Sequence, residues 1–216
     1  MYQMINNLEK IKFRLLEVFN INNPDLFFHV EIIQRKKEVN NINKNSNVVK
    51  SYVVKSLDYL EYKLENEIIS ICNTLNARAM INLNPKSFKR VTHAMLRKLS
   101  EYIEDNFYEG VISKLFTSCT DATSIDKSIG IEKYWILDID TKDPEVFSRV
   151  QSTINLCEPI EIGKNKVKGF LESKNGFHIF ATPFNVQTYE KLKVNNSQYF
   201  KDVEIKKDCL TNLYIP

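Results

Sequence analysis

The sequence predicts an α+β fold, and three observations carry that expectation. Apolar residues recur at helical spacing in some stretches and alternate with polar ones in others, so both element types are present. From residue 133 onward the segments run strand, helix, strand, turn, strand, helix, strand, the order of a small sheet with helices layered on one side. At 216 residues the chain can bury a full core, as one domain or as two closely apposed lobes.

Residues 4–19 place Ile5, Leu8, Ile11, Leu15, Val18 and Phe19 at the spacing of an amphipathic helix. LFFHVEIIQR and SYVVKSL then read as two strands around a polar Asn/Lys loop, a hairpin-like pair. Helical spacing returns between Asp58 and Asn73 through Leu60, Leu64, Ile68, Ile69 and Cys72, and RAMINLN reads as the next strand. Pro85 and Ser87 open a long helix that runs to about Phe107. Residues 111–132 are punctuated by Gly, Ser and Thr and have weak periodicity, so they read as a segment connecting a lobe at 1–110 to a lobe at 133–216.

In the second lobe KYWILDID is a strand, and DPEVFSRVQSTINL is a helix with Pro144 in its first turn. KVKGFLES and FHIFATPF are strands joined at Lys174, Asn175 and Gly176, where Gly176 is free to take a positive φ. NVQTYEKLKV is a short helix, and DVEIKK and TNLYIP are the last apolar segments.

Composition narrows the function classes. With 43% hydrophobic and 26% charged residues, 5 Gly and 6 Pro, the chain is expected to be globular rather than disordered. No apolar run reaches the length of a membrane span, and charges interrupt the N-terminal stretch, which predicts a cytoplasmic protein without a membrane partner. Cys72, Cys119, Cys157 and Cys209 are scattered with no C-x-x-C pair, against a zinc knuckle or a disulfide framework. The net charge of +3 is mild, but basic residues cluster in QRKKEVNNINKNSNVVK, NPKSFKR and EIGKNKVKG, patches suited either to phosphate or to solvent.

Two stretches carry chemistry. In WILDIDTKD, Asp138 and Asp140 are two apart on a strand, so they share a face about 7 Å apart and repel unless a cation stands between them. A divalent ion such as Mg2+ or Mn2+ is the expected counter-charge for such oxygen ligands. In ESKNGFHIF, Ser173 and His178 flank a tight turn, where a hydroxyl, an imidazole and backbone amides can grip a phosphate. Structural readings stand beside both: the aspartates can cap a strand end, and a lone histidine in a hairpin is commonly a core residue.

WILDIDTKDPE resembles the metal-binding strand of the archaeo-eukaryotic primase superfamily, and SKNGFH resembles its S-x-x-G-x-H nucleotide turn, in the same order with a helix between. DVEIKKDCLTNLYIP is similar to the third motif of that family and nominates Asp202 as the third metal carboxylate, with Glu204 and Asp208 as rivals. Arg78 in RAMINLN is a counterpart of the arginine that precedes the first motif. Tyr214 stands where the family commonly has a basic residue, and no zinc module is evident.

The resemblance implies a two-lobed, primase-like catalytic core, with an N-terminal αβ lobe packed on an RRM-like lobe. It implies a DNA primase or polymerase that transfers nucleotides from nucleoside triphosphates along a single-stranded DNA or RNA template. Asp138, Asp140 and Asp202 would hold Mg2+ or Mn2+, while Ser173, Lys174, Gly176, His178 and Arg78 would hold the nucleotide. Phe177, Phe180, Tyr189 and Tyr199 are candidates to stack bases. A helicase or another replication-complex partner is expected. The richness in Lys, Asn and Ile is that of an AT-rich bacterial or phage genome. The alternatives are a catalytically inactive nucleic-acid-binding or accessory protein of a replication or transcription complex, a metal-dependent nuclease, and a nucleotide-sugar enzyme using the D-x-D strand.

Overall fold

The computed structural model describes residues 4–39, 45–104, 112–123, 129–160, 163–194 and 197–216. They form a mixed α and β structure with two sheets. The first sheet contains β1 (Ile5–Asn6), β2 (Leu26–Arg35), β3 (Ser46–Val54), β4 (Arg78–Asn82) and β10 (Leu210–Ile215) in the order β1-β10-β4-β2-β3, with β5 (Lys86–Ser87) paired to β2. The second contains β6 (Trp135–Ile139), β7 (Val167–Glu172), β8 (Phe177–Ala181) and β9 (Val203–Lys207) in the order β7-β8-β6-β9, and every pairing is antiparallel. With α6 (Pro144–Leu156) between β6 and β7, and α7 (Val186–Val194) between β8 and β9, this is a split β-α-β arrangement.

Each face of the sheets has its own cover. Along β2, Phe28, Val30 and Ile32 point into the main core, with Leu8, Ile11, Leu15 and Val18 of α1 (Leu8–Phe19). The same core takes Leu60, Leu64, Ile68 and Cys72 from a continuous helical stretch, α2 (Leu57–Lys63), a π-helical segment (Leu64–Ile68) and α3 (Ile69–Leu75). Phe27, on the opposite face of β2, packs beneath α4 (Phe88–Glu104) and α5 (Ile112–Ala122) with Val91, Leu115 and Cys119. In the second sheet Leu137, Ile139, Ile179 and Ala181 pack on α6 and α7, while Ile136, Leu171 and Phe180 face the main core. The Asp143 carboxylate caps α6 by accepting from the Glu145 N–H, and Pro144 follows where no amide is needed.

Three expectations change. Residues 111–132 are not merely a connector, since α5 occupies Ile112–Ala122 and, with α4, covers the sheet. The C-terminal segment TNLYIP does not stay with residues 133–209. Its strand, β10, crosses to the first sheet between β1 and β4, where Leu213, Tyr214 and Ile215 gain a buried position in place of an exposed edge. Gly176 does not have a positive φ; a Cβ there would lie 1.8 Å from the Ile139 carbonyl oxygen, so the residue is glycine because β6 leaves no room for a side chain.

Two buried polar residues of the N-terminal region tie the sheets together. The Asn7 side-chain amide donates to the carbonyls of Glu172 (3.0 Å) and Asn212 (3.1 Å), joining the end of β7 to β10. The Arg14 guanidinium donates to the carbonyls of Leu83 (3.0 Å) and Glu132 (2.5 Å) and lies 4.0 Å from the centre of the Tyr134 ring, fully buried. Desolvation of that charge is offset by these bonds and by the Glu17 carboxylate at 2.8 Å.

Candidate functional site

Between the sheets lies a cleft of about 420 Å3. One wall is Asp138 of β6, Asp140 just beyond it, Ser173, Lys174 and Asn175 of the β7–β8 turn, His178 of β8, and Glu204 and Lys206 of β9. The other wall comes from β2, β4 and β10, including Arg35, Arg78, Met80 and Asn212. Residues as distant in sequence as Arg35 and Asn212 thus line one cleft, and within its first wall the antiparallel register places Asp138 directly opposite His178 on one side and Glu204 on the other. Opposed residues share a face, so the carboxylates and the imidazole project together.

Asp138 is the hub. Its Oδ1 lies 3.1 Å from His178 Nε2 and its Oδ2 2.5 Å from Lys206 Nζ, with 16% of the side chain exposed. The far side of the imidazole is anchored, Nδ1 standing 2.7 Å from the Thr211 hydroxyl of β10. An Nε2–H donating to the carboxylate and a bond between Nδ1 and the Thr211 hydroxyl, which can donate or accept, satisfy both ring nitrogens. Burial pushes the Asp138 carboxyl up, but hydrogen bonds and charge from His178 and Lys206 outweigh it and hold the group well below the ordinary carboxylate range. Burial likewise opposes the charge on Lys206, and its bonds to Asp138 and Glu204 overcome that and raise its pKa. The Lys206 ammonium reaches Glu204 Oε2 at 3.5 Å, so it stands between two carboxylates where a cation belongs.

The β7–β8 turn is closed by the Ser173 N–H donating to the Gly176 carbonyl (2.9 Å) and the Gly176 N–H donating to the Ser173 hydroxyl (3.0 Å). Gly176 itself lies under the turn against β6, which lets the turn seat beside Asp140. Arg78 is buried and paired with Glu38, but it lines the cleft.

Of the three carboxylates nominated to complete the acidic set, Glu204 lines the cleft. Asp202, exposed at the start of β9, does not, although its carbonyl accepts from the Asp140 N–H at 3.0 Å. Asp208 serves the fold instead: at φ 55° its Oδ1 accepts from Asn82 (3.2 Å), Asn84 (3.2 Å) and Lys86 (3.4 Å), all buried. None of the four aromatic candidates lines the cleft. Phe180 and Tyr189 are core residues, Phe177 packs on Phe147 and Phe170, and Tyr199 donates to Glu145.

Sequence reasoning missed Lys206, although its period-two spacing from Glu204 was the available signal. It also missed a second group of potential ligands, which obeys the same rule as Asp138 and Asp140. Among the described residues, His29, Glu31 and Asp121 bring their ligand atoms within 4.8 Å of one another and could hold a metal ion, whereas Asp138, Asp140 and Glu204 share the cleft without gathering so closely.

No protein-family model, curated protein or solved structure matches this chain.

Proposed function

We propose that the cleft binds a nucleoside triphosphate with a divalent cation, Mg2+ or Mn2+, and that the chain is a nucleotidyltransferase of the primase-polymerase kind its motifs resemble. One observation carries this reading: Asp138, Asp140, Ser173, Lys174, His178 and Arg78, nominated from three separate stretches, line one cleft together with Glu204. The cleft's volume suits a ligand of nucleotide size. In this reading the two sheets correspond to the αβ and RRM-like lobes of a primase-like core, with β10 shared.

Asp138, Asp140 and Glu204 supply hard oxygen ligands, and Glu204 takes the place first assigned to Asp202. A bound divalent ion would lower the pKa of an attacking hydroxyl and neutralise phosphate charge. Lys174, Arg35 and Arg78 supply positive charge around the phosphates. Lys206 would swing from the carboxylates toward phosphate as the ion arrives.

Lys206 also favours a second reading. An ammonium already seated between Asp138 and Glu204 suits a domain that binds nucleotide or single strands without transferring nucleotides. The two readings separate in one experiment, in which the purified chain is incubated with single-stranded DNA, nucleoside triphosphates and Mn2+, with and without a primer. Template-dependent products lost in Asp140→Asn support transfer, and His178→Ala should weaken triphosphate binding about tenfold or more. Salt-sensitive strand binding without product supports the second reading. Triphosphate affinity unchanged by His178→Ala and Lys174→Ala would remove the cleft from both.

A further inference from the structure

We propose that His29, Glu31 and Asp121 form a binding site for a transition-metal dication of the zinc class, separate from the cleft. His29 and Glu31 are two apart on β2, so they project from one face of the first sheet, beneath α5. Phe116 of α5 stands edge-on to the imidazole at 5.9 Å, and Asp121 reaches in from the last turn of that helix. Neither β2 residue lines the cleft, although Met80, opposite Glu31, does.

The polar atoms here are left without partners. His29 is fully buried and Glu31 is 2% exposed, yet both ring nitrogens and Glu31 Oε1 have no hydrogen-bond partner. The other buried side-chain atoms without hydrogen-bond partners among the described residues are Glu38 Oε2, Arg78 Nε and the Tyr189 hydroxyl, and Glu38 and Arg78 pair with each other, so three unpartnered atoms gathered at one point call for a ligand. His29 Nε2 lies 3.6 Å from Glu31 Oε1, and Nδ1 lies 3.6 Å from Asp121 Oδ1. Those gaps are too long for hydrogen bonds. Each is close to the separation of about 3.4 Å between ligands in a tetrahedral site with bonds of about 2.1 Å, and because they start from different ring nitrogens only one of them can be an edge of a single ion's shell, with the third ligand atom within 4.8 Å of the other two.

The donor set defines the ion. One imidazole and two carboxylates suit zinc and its neighbours in the first transition row, whereas Mg2+ and Ca2+ prefer all-oxygen shells. Asp121 is 49% exposed, which leaves a path from solvent and room for water in the remaining position. The ion would link β2 to α5 and hold that helix on the sheet.

The test uses the full chain stripped with a chelator and titrated with Zn2+ alone, without nucleotide, by calorimetry and thermal unfolding. One equivalent should bind and raise the Tm. Asp121→Asn, on a half-exposed side chain, should fold normally, bind at least tenfold more weakly and lose the Tm rise, and Glu31→Gln should behave alike. Asp138→Asn with Asp140→Asn should retain the ion, which distinguishes this site from the cleft whatever the cleft does. The proposal is overturned if Zn2+ does not bind stoichiometrically, if Asp121→Asn and Glu31→Gln both retain it, or if the cleft variants abolish it.

Discussion

Asp138 and Glu31 are both strand carboxylates with a histidine beside them, one in each sheet, and their surroundings drive them in opposite directions. Burial raises the pKa of each. For Glu31 nothing outweighs it: desolvation comes first, the Asp121 charge adds to it, His29 relieves it only in part, and the group is pushed up to about 7. For Asp138 two donors fill both oxygens and reverse the balance. Burial sets the penalty for a charge, and the partner set decides whether the charge is kept. Asp138 is complete within the protein, whereas Glu31 waits for something from outside it.

The strongest way to break this contrast is Gly176→Ala. A methyl group cannot fit 1.8 Å from the Ile139 carbonyl, so β8 must move off β6 and carry His178 away from Asp138. A loss of about 3 kcal/mol or more is expected in denaturant unfolding, with triphosphate binding abolished. Unchanged stability would mean that the turn seats differently.

Asp138→Asn comes next, at about 2 kcal/mol, because it leaves the partly buried Lys206 with only its longer contact to Glu204. The sign with pH follows from the depressed pKa. The contribution of Asp138 is fully present above the ordinary aspartate value of about 4 and is lost as pH falls toward the lower folded value, so wild type and variant should converge in acid. Curves that stay parallel down to the lowest accessible pH would show that Asp138 is not ionised in its pair.

The smallest effect has the opposite sign. In the metal-stripped chain Glu31→Gln removes a buried carboxylate whose Oε1 lacks a hydrogen-bond partner, and it should raise stability by about 1 kcal/mol at neutral pH. Destabilisation by that change would mean that Glu31 is satisfied inside the protein, and the contrast with Asp138 would disappear.

Much of the cleft was legible because its signals are local. Alternation alone puts Asp138 and Asp140 on one face, and the short SKNGFH turn brings Ser173 and His178 near them. Alternation could not choose between Asp202 and Glu204, which share a face. The choice depends on which residue the register sets opposite Asp138, and that residue, Glu204, lies 66 positions away. Gly176 looked like a turn glycine because its real constraint, the Ile139 carbonyl, belongs to another strand. Helix α5 was overlooked because its apolar residues serve a small separate core around Phe27. His29 and Glu31 obey the alternation rule in plain view within LFFHVEIIQR, but their third partner lies about 90 residues away.

The staple at Asn7 bears on the order of events during folding. Its amide spans 165 residues to reach Glu172 and 205 to reach Asn212, and β1 pairs with β10 across a similar distance. Contacts of such sequence separation pay their loop-closure entropy before they return any energy, so they form late. The second sheet's split β-α-β unit can assemble from nearby segments while β10, which supplies Thr211 to His178, is still unattached. The imidazole therefore gains its anchor in the final stage, and the cleft matures only when the two distant ends of the described chain close on each other.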